Sequence, residues 1–421
     1  MTPPLSAEQC RTLDSTDPVR HWRESFEIPD SVIYLDGNSL GPMPRATPAR
    51  LEQAIRQEWG QGLIRSWNTA GWVDKPATVG AAIAPLIGAR ASEVVCADST
   101  SLNLFKVLAA ALNMRPARKV IVSEIGNFPT DLYIAQGLSR LLDQGHELRL
   151  VERDAIPAAI DESVAVVMLT QVDYRTGSRL DMADLTRQAH DAGAVMIWDL
   201  AHSAGAIPVD LNACHADFAI GCGYKYLNGG PGAPAFVFVA EHHAESFTQP
   251  LSGWMGHAAP FDFDPAYRPA PGIARYLCGT PPMLSMIALQ CGVDIMAAAV
   301  REHGMQVLHD KACALIDLFI NTVTAGGNPH GLTLLTPAAS HERGSQASFS
   351  LADGDQAYAV VQALIARGVI GDFRAPNILR FGFAPLYLSY TEVHQAALTM
   401  REVLDERSWD SPSFLTRQAV T

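Results

Sequence analysis

The chain has 421 residues, of which 48% are hydrophobic and only 18% charged. At about 150 residues per domain this suggests two to three domains, far above the size at which folding needs disulfides or a structural metal. Its 44 acidic against 31 basic side chains leave a formal charge of −13, which argues against a general nucleic-acid binder, since that role needs a basic footprint.

The seven cysteines (Cys10, Cys96, Cys214, Cys222, Cys278, Cys291 and Cys313) are odd in number, scattered and without a C-x-x-C pair. The first residues are polar, contain prolines and lack an apolar signal core. Both features predict a reduced, cytoplasmic protein, and no metal centre is expected. Apolar stretches such as 81–89 and 233–240 fall short of the roughly 18 residues that span a bilayer, so no membrane segment is expected either.

In chain order, short runs rich in Val and Ile occur at 94–96, 119–123, 148–151, 164–170, 195–199, 218–220 and 235–239. They lack the alternation of half-exposed strands, so they suit a parallel sheet covered on both faces. Helical patterns intervene at 102–113, 131–142 and 181–192, the last opening on Asp181, a good N-cap. The fold class predicted is α/β. From about Met305 the order changes to a helix, strands at 332–335 and 348–351, a helix at 356–367, strands at 369–373 and 379–383 and a closing helix near 392–405. That order predicts a smaller α+β domain. The Pro/Gly-dense stretch 260–282 is the most irregular, and such loops are where binding groups collect.

The sharpest chemical signal is G-C-G-Y-K-Y-L-N-G-G-P-G at 221–232, which sets Lys225 in nearly uncharged surroundings. A desolvated lysine loses proton affinity, and its free amine can attack a carbonyl to form a Schiff base. A lysine snorkelling from a turn would look the same. Upstream, V-M-I-W-D-L-A-H-S-A-G at 195–205 places Asp199 at the tail of a strand and His202 in the following loop. Open α/β sheets bind ligands at strand carboxyl ends. There a carboxylate can pair with a protonated pyridine nitrogen, as pyridoxal phosphate requires; a capping aspartate beside a satisfied histidine is the plainer alternative.

One more crossover after Asp199 returns the chain to the same sheet edge at Lys225. A-D-S-T-S-L-N at 97–103 brings the hydroxyls of Thr100 and Ser101 to a helix start, either a phosphate seat or an ordinary cap. Phe128, just before Pro129, offers a face for a flat heterocycle or for the core. Phosphate seat, stacking ring, nitrogen partner and amine together are what a pyridoxal phosphate enzyme needs. Trp67 and Trp72, in S-W-N-T-A-G-W at 66–72, form an amphipathic loop suited to walling an aromatic substrate, with core packing open for at least one of them. His257 in G-W-M-G-H is left undecided between turn and site.

Further motifs run nearly end to end: L-D-G-N-S-L-G at 35–41, N-F-P-T-D at 127–131, W-D-L-A-H at 198–202, Y-K-Y-L-N at 224–228, G-W-M-G-H at 253–257, G-T-P-P at 279–282, R-A-P-N at 374–377 and A-P-L-Y at 384–387. With them the chain resembles fold-type I pyridoxal phosphate enzymes of the aminotransferase class V group, and within that group the kynureninase family. The resemblance implies a mainly parallel seven-stranded sheet between helices in a large cofactor domain (61–304), and a small C-terminal domain (305–421) on which an N-terminal segment (1–60) packs. It also implies a homodimer with shared active sites.

The implied reaction is hydrolysis of the Cβ–Cγ bond of L-kynurenine, with 3-hydroxykynurenine as a second substrate, to anthranilate and L-alanine, in tryptophan catabolism and NAD biosynthesis. By matching motif, Lys225 resembles the Schiff-base lysine, Asp199 the pyridinium partner and Phe128 the stacking ring. Thr100, Ser101 and Tyr224 resemble phosphate contacts, and Asp131, Thr170 and His202 complete the pocket; Tyr224 is also the candidate proton carrier, with a purely phosphate-binding hydroxyl as the alternative. Trp254 and Thr280 are similar to residues that reach the cofactor from a second subunit. Arg374 matches the arginine that grips the substrate α-carboxylate bidentately, an ion-pair arginine being the plainer alternative, and Asn38, Ser39 and Trp67 are expected to help hold the substrate, with a plain Gly-flanked turn open for Asn38 and Ser39.

Thr280 departs from the asparagine of other members, which implies a preference for kynurenine over its 3-hydroxy analogue. The alternatives are a class V aminotransferase, a cysteine desulfurase or selenocysteine lyase, and a non-catalytic cofactor-binding sensor. A desulfurase needs a nucleophilic cysteine on a mobile loop of the small domain, where this chain has only Cys313. A sensor does not need Lys225, Asp199 and Arg374 together.

Overall fold

The computed structural model describes residues 4–247 and 249–417. The chain forms two compact units, one of Met1–Ala46, Tyr174–Arg179 and Ala298–Thr421, the other of Thr47–Asp173 and Leu180–Ala297.

In the second and larger unit, the seven Val/Ile-rich runs become β1 (Val94–Ala97), β2 (Val120–Glu124), β3 (Glu147–Val151), β4 (Val164–Thr170), β5 (Val195–Asp199), β6 (Phe218–Gly221) and β7 (Ala235–Val239). They pair in the order β1-β7-β6-β5-β4-β2-β3. Only β7 runs against its neighbours, antiparallel to β1 and β6. Every residue of β1, β4, β5, β6 and β7 is buried, which is why these sequences show no alternation. Strand β3 lies at the sheet's edge and is only half-buried.

Three helices start at the strand ends. Helix α1 (Thr100–Met114) is N-capped by Ser99, whose Oγ accepts from Leu102 N at 3.4 Å. Helix α2 (Pro129–Leu142) opens on a proline, which has no N–H to leave unsatisfied. Helix α3 (Met182–Asp191) is capped by Asp181, Oδ1 accepting from Asp184 N at 3.0 Å.

The crossover from β5 to β6 differs from the others because it carries no helix. Residues 200–217 run as successive turns, closed by bonds such as Ser203 N to Leu200 O at 2.9 Å and Ala206 N to Ser203 O at 2.9 Å. Gly205 at φ 79° and Pro208, which lacks a donor, break helical continuity, while Leu200, Ala204, Ile207 and Leu211 still bury their side chains.

Helix α4 (Met283–His303) is 21 residues long and, by length and composition, apolar enough to cross a membrane. This does not overturn the expectation of no membrane segment, because a buried core helix meets the same length and composition. Gln290 and Asp294 interrupt the apolar run and hide it from a reading by consecutive residues. Met286, Ile287, Leu289, Val293 and Met296 are buried within the fold, as in a core helix.

The smaller unit has helices α5 (Met305–Val323), α6 (Gly354–Ala366) and α7 (Tyr390–Asp405) and an antiparallel sheet of β8 (Thr333–Leu334), β9 (Gln346–Ser350), β10 (Asp372–Arg374) and β11 (Ile378–Gly382), in the order β8-β9-β11-β10. Phe319 on α5 packs on Phe381 and Phe383, with ring centroids 4.9 and 5.4 Å apart. The stretch expected as one strand at 369–373 is split. Val369–Ile370 pairs in parallel with Ile33–Tyr34, whereas Asp372–Arg374 joins β11. Gly371 allows the switch, since a Cβ there would come within 2.5 Å of the Phe381 ring.

The N-terminal helix Ala7–Thr16 belongs to the same unit, where the Asp14 carboxylate accepts from Tyr390 N at 2.7 Å and Thr391 N at 3.0 Å, capping α7. The following helical segments, Thr47–Gln53 and Ala54–Gly62, fall in the larger unit. There Glu58 pairs with Arg50 at 2.8 Å and accepts from Trp72 Nε1 at 2.9 Å.

Candidate active site

Parallel register sets Thr170, the last residue of β4, opposite Asp199, the last of β5. From that edge Thr170 Oγ1 donates to Asn127 Oδ1 at 2.5 Å and lies 3.4 Å from Asp131 Oδ2 and 3.5 Å from Asp199 Oδ2. Asp131, in the first turn of α2, and Asp199 are both buried. Burial pushes both carboxyls up, Asp131 the further because the neighbouring Asp199 charge adds to it, while Lys225 pulls both down. The two carboxyls share a hydrogen bond that raises Asp131 and lowers Asp199. The two carboxyls thus form one hydrogen-bonded group at the sheet edge, and Asp199 is fixed further by Ala201 N donating to its Oδ1 at 2.7 Å.

Lys225 follows β6 on the same edge. Its Nζ lies 2.9 Å from His202 Nε2, 6.0 Å from the Phe128 ring centroid and 5.8 Å from that of Tyr224. The loop is shaped by its own backbone: Asn228 N donates to Lys225 O and Gly229 N to Gly223 O, both at 2.9 Å. A Cβ on Gly223 would stand 2.3 Å from Pro234 O, so only glycine fits there. Phe128 is 40% exposed, leaving a face open beside the amine, and its N–H is held by Asn127 Oδ1 at 2.7 Å.

Thr100 and Ser101 are half-buried in the first turn of α1. The turn before them is pinned by Lys106, wholly buried, whose Nζ pairs with Asp98 and donates to Tyr276 O at 2.6 Å. Asp98 itself sits at φ 45°. The amine, the buried carboxyl pair, the open ring face and the helix N-terminus thus surround one sheet edge. Sequence reasoning missed Asn127 and the Asp98–Lys106 pair. A single lysine inside the apolar helix sequence L-N-L-F-K-V-L-A was the available signal.

A second cluster stands in the smaller unit. Strand periodicity puts Asp372 and Arg374 on one face of β10, and register puts Arg380 of β11 opposite Asp372. Asp372 Oδ2 pairs with Arg374 Nε at 2.7 Å and with Arg380, which is 1% exposed. Ser39 Oγ accepts from Arg380 Nη2 at 2.6 Å and from Arg374 Nη2 at 3.3 Å. Asn38 is fully buried, and among the described residues neither its Oδ1 nor its Nδ2 has a hydrogen-bond partner. Burial and the Asp372 charge push the Asp36 carboxyl up to about 7. Asp372 and Arg380 were not singled out from the sequence, because their roles depend on cross-strand register.

The remaining candidates are placed as follows. Trp72 is buried and hydrogen-bonded to Glu58, while Trp67, half-buried, meets it edge-on at 6.0 Å. The segment read as a loop begins with a helical turn, Ser66–Thr69. Trp254 is 39% exposed and packs edge-on against Phe261 at 5.8 Å, and Thr280 is exposed. His257 is structural: its Nδ1 accepts from Ala259 N at 2.9 Å and its Nε2 donates to Ala266 O at 3.2 Å. Cys313 lies inside α5, buried, with its thiol pushed up by burial and 3.6 Å from His309 Nε2, unlike a nucleophile on a mobile loop.

The family described as the kynureninase C-terminal domain matches residues 308–400. A kynureninase of Burkholderia mallei (strain SAVP1) is 55% identical over 419 residues, covering 98% of this chain and 99% of that protein. The chain belongs to the kynureninase family. A kynureninase of Pseudomonas fluorescens is 53% identical over 417 residues, covering 98% and 99%. Among solved structures, the apo cysteine desulfurase of Thermococcus onnurineus NA1 superposes with a TM-score of 0.76 over 92% of this chain and 98% of that one. At 20% identity that likeness speaks for the fold, which is fold-type I. The kynureninase family and the desulfurase thus share a scaffold, and Cys313 is placed unlike a desulfurase nucleophile.

Proposed function

We propose that the edge cluster of the larger unit holds pyridoxal 5'-phosphate and that the protein hydrolyses the Cβ–Cγ bond of L-kynurenine to anthranilate and L-alanine, in tryptophan degradation by the kynurenine pathway. The single observation that carries this reading is the convergence on one sheet edge of Asp199, buried at the end of β5, and Lys225, just after β6, with Asp131 tied to Asp199 through Thr170. A buried carboxyl, an amine, an exposed aromatic face and a helix N-terminus make a donor set that fits this cofactor. When bound, pyridoxal phosphate supplies an electron sink for the pairs released at the substrate's Cα and Cβ.

Lys225 would tether the cofactor, and its amine is placed to take the substrate Cα proton. His202, 2.9 Å from Nζ, holds that amine in place. Asp199, hydrogen-bonded with Asp131, would hold a proton on the pyridine nitrogen. Thr170 ties the two carboxyls to Asn127, and Phe128 covers the ring face. Thr100, Ser101 and Tyr224 hold the phosphate together with the N–H groups of α1, and Tyr224 carries the proton in carbon–carbon cleavage.

Arg374 takes the substrate α-carboxylate, since a guanidinium binds it through two parallel hydrogen bonds. The unpartnered amide of Asn38 and the Ser39 hydroxyl support that binding, and Trp67 walls the aromatic ring. Trp254 and Thr280 serve a second subunit's cofactor in a homodimer, a role for which their exposure suits them. Thr280 favours kynurenine over 3-hydroxykynurenine. The two units correspond to a large cofactor domain and a small domain carrying the N-terminal segment, and the enzyme works in the cytoplasm.

The test is product analysis after incubating the cofactor-loaded protein with kynurenine, 3-hydroxykynurenine and cysteine in parallel. Anthranilate and alanine in equal amounts from kynurenine are expected. Sulfide and alanine from cysteine, with kynurenine untouched, would overturn the assignment.

A further inference from the structure

Away from the sheet edge just described, the larger unit gathers three imidazoles around one carboxylate. Asp217 precedes β6 and is buried. Its Oδ2 is fixed by two donors, Met196 N at 2.8 Å and His190 Nε2 at 2.8 Å. That leaves Oδ1 directed at the short helical turn Glu241–His243, where His243 Nε2 lies 2.7 Å away and His242 Nε2 3.9 Å away. The His243 ring is held parallel to Phe218, with centroids 5.7 Å and planes 11° apart. The His242 and His243 centroids are 3.9 Å apart, and His242 is 65% exposed at its side chain.

We propose that Asp217 Oδ1, His242 Nε2 and His243 Nε2 form a binding site for a divalent transition metal such as Zn2+, with water completing the shell. The three ligand atoms lie within 4.8 Å of one another, and a nitrogen–oxygen set of two imidazoles and one carboxylate is of the kind Zn2+ takes, at about 2.0–2.2 Å per bond. Two ligands are pre-oriented by their own partners, as outer hydrogen bonds orient metal ligands generally. His242 has to turn inward and the hydrogen-bonded His243–Asp217 pair has to open around the ion, and the exposure of His242 gives the ion a way in. On binding, the hydrogen bond between His243 and Asp217 is replaced by a bond from each to the metal, and the Nε2 proton leaves to Nδ1 of the same ring or to solvent. Zn2+ has no redox step to supply here, so the site's role is to clamp the 241–243 turn to the base of β6.

His21, Glu302 and His303 form a second, more exposed trio in the smaller unit, and it serves as the control. Untagged, cofactor-loaded protein stripped with a chelator is titrated with ZnCl2 by calorimetry, and the retained metal is counted after dialysis. One equivalent per chain is expected, with affinity falling at least about tenfold in His242→Ala and unchanged in His21→Ala, while both variants turn over kynurenine as the parent does. No saturable Zn2+ binding, equal binding in His242→Ala, or loss in His21→Ala alone would overturn the proposal.

Discussion

The Asp372→Asn substitution keeps the shape of a side chain that pairs two guanidiniums while removing its charge. Arg380 is 1% exposed and keeps only neutral partners, Ser39 Oγ and Tyr174 O at 2.8 Å, besides Asp372. A buried cation stripped of its anion costs about 3–5 kcal/mol. For a cooperative unit of about 150–250 residues, the size class of the smaller unit, each kcal/mol moves Tm by about 2–4 °C, so a fall of about 6–20 °C is expected. Asp36 tempers this: the Asp372 charge helps hold its proton on, so in the variant it ionises more readily and partly replaces the lost anion. The fall should therefore be nearer the lower end at pH 8 than at pH 6. Arg374 also loses its 2.7 Å anchor. A charged hydrogen bond contributes about 1.5–3 kcal/mol, so KM for kynurenine should rise by about tenfold or more with kcat changed less. Calorimetry at both pH values and steady-state kinetics read this out. A Tm within about 2 °C of the parent and an unchanged KM would refute the argument.

The remaining predictions test neighbouring groups. Asp36, with its carboxyl raised to about 7 in the folded state, contributes stability that is present below the unfolded value near 4 and lost as pH rises through about 7. Asp36→Asn should flatten the urea stability profile over that window and leave the variant the more stable protein at pH 8. Lys106→Met removes the pin under the α1 start and should weaken pyridoxal phosphate binding about tenfold in a fluorescence titration; unaltered affinity would separate that pair from the phosphate seat. Asp199→Asn should still hold the cofactor on Lys225 but lose kynurenine cleavage by several orders of magnitude, measured as anthranilate fluorescence. Cys313→Ala should keep turnover within about twofold, because a buried thiol with raised proton affinity is a poor nucleophile; loss of activity would favour desulfurase-type chemistry.

Most of the large sheet was legible because its strands are buried on both faces: the runs at 164–170, 195–199 and 235–239 are strands with the same bounds in the structure. Residues whose chemistry follows from sitting at a strand's end, Asp199 and Lys225, were legible for the same reason. Harder to read were side chains defined by what lies across from them. Asp372 and Arg380 meet through β-sheet register, Asn127 works through hydrogen bonds to Thr170 and the Phe128 N–H, and the Asp131 carboxyl is raised by its burial and by the Asp199 that faces it. Gly371 shows the limit in the fold itself. Local pattern joined 369–373 into one strand, and a steric conflict with Phe381 that no local window contains divides it.

Reduction of the pyridoxal phosphate-saturated protein with borohydride, followed by peptide mapping, addresses the site most directly. Stable pyridoxyl label on Lys225 alone, absent from Lys225→Ala, is the outcome this account requires. Label on another lysine such as Lys106 or Lys75, or none at all, would contradict it.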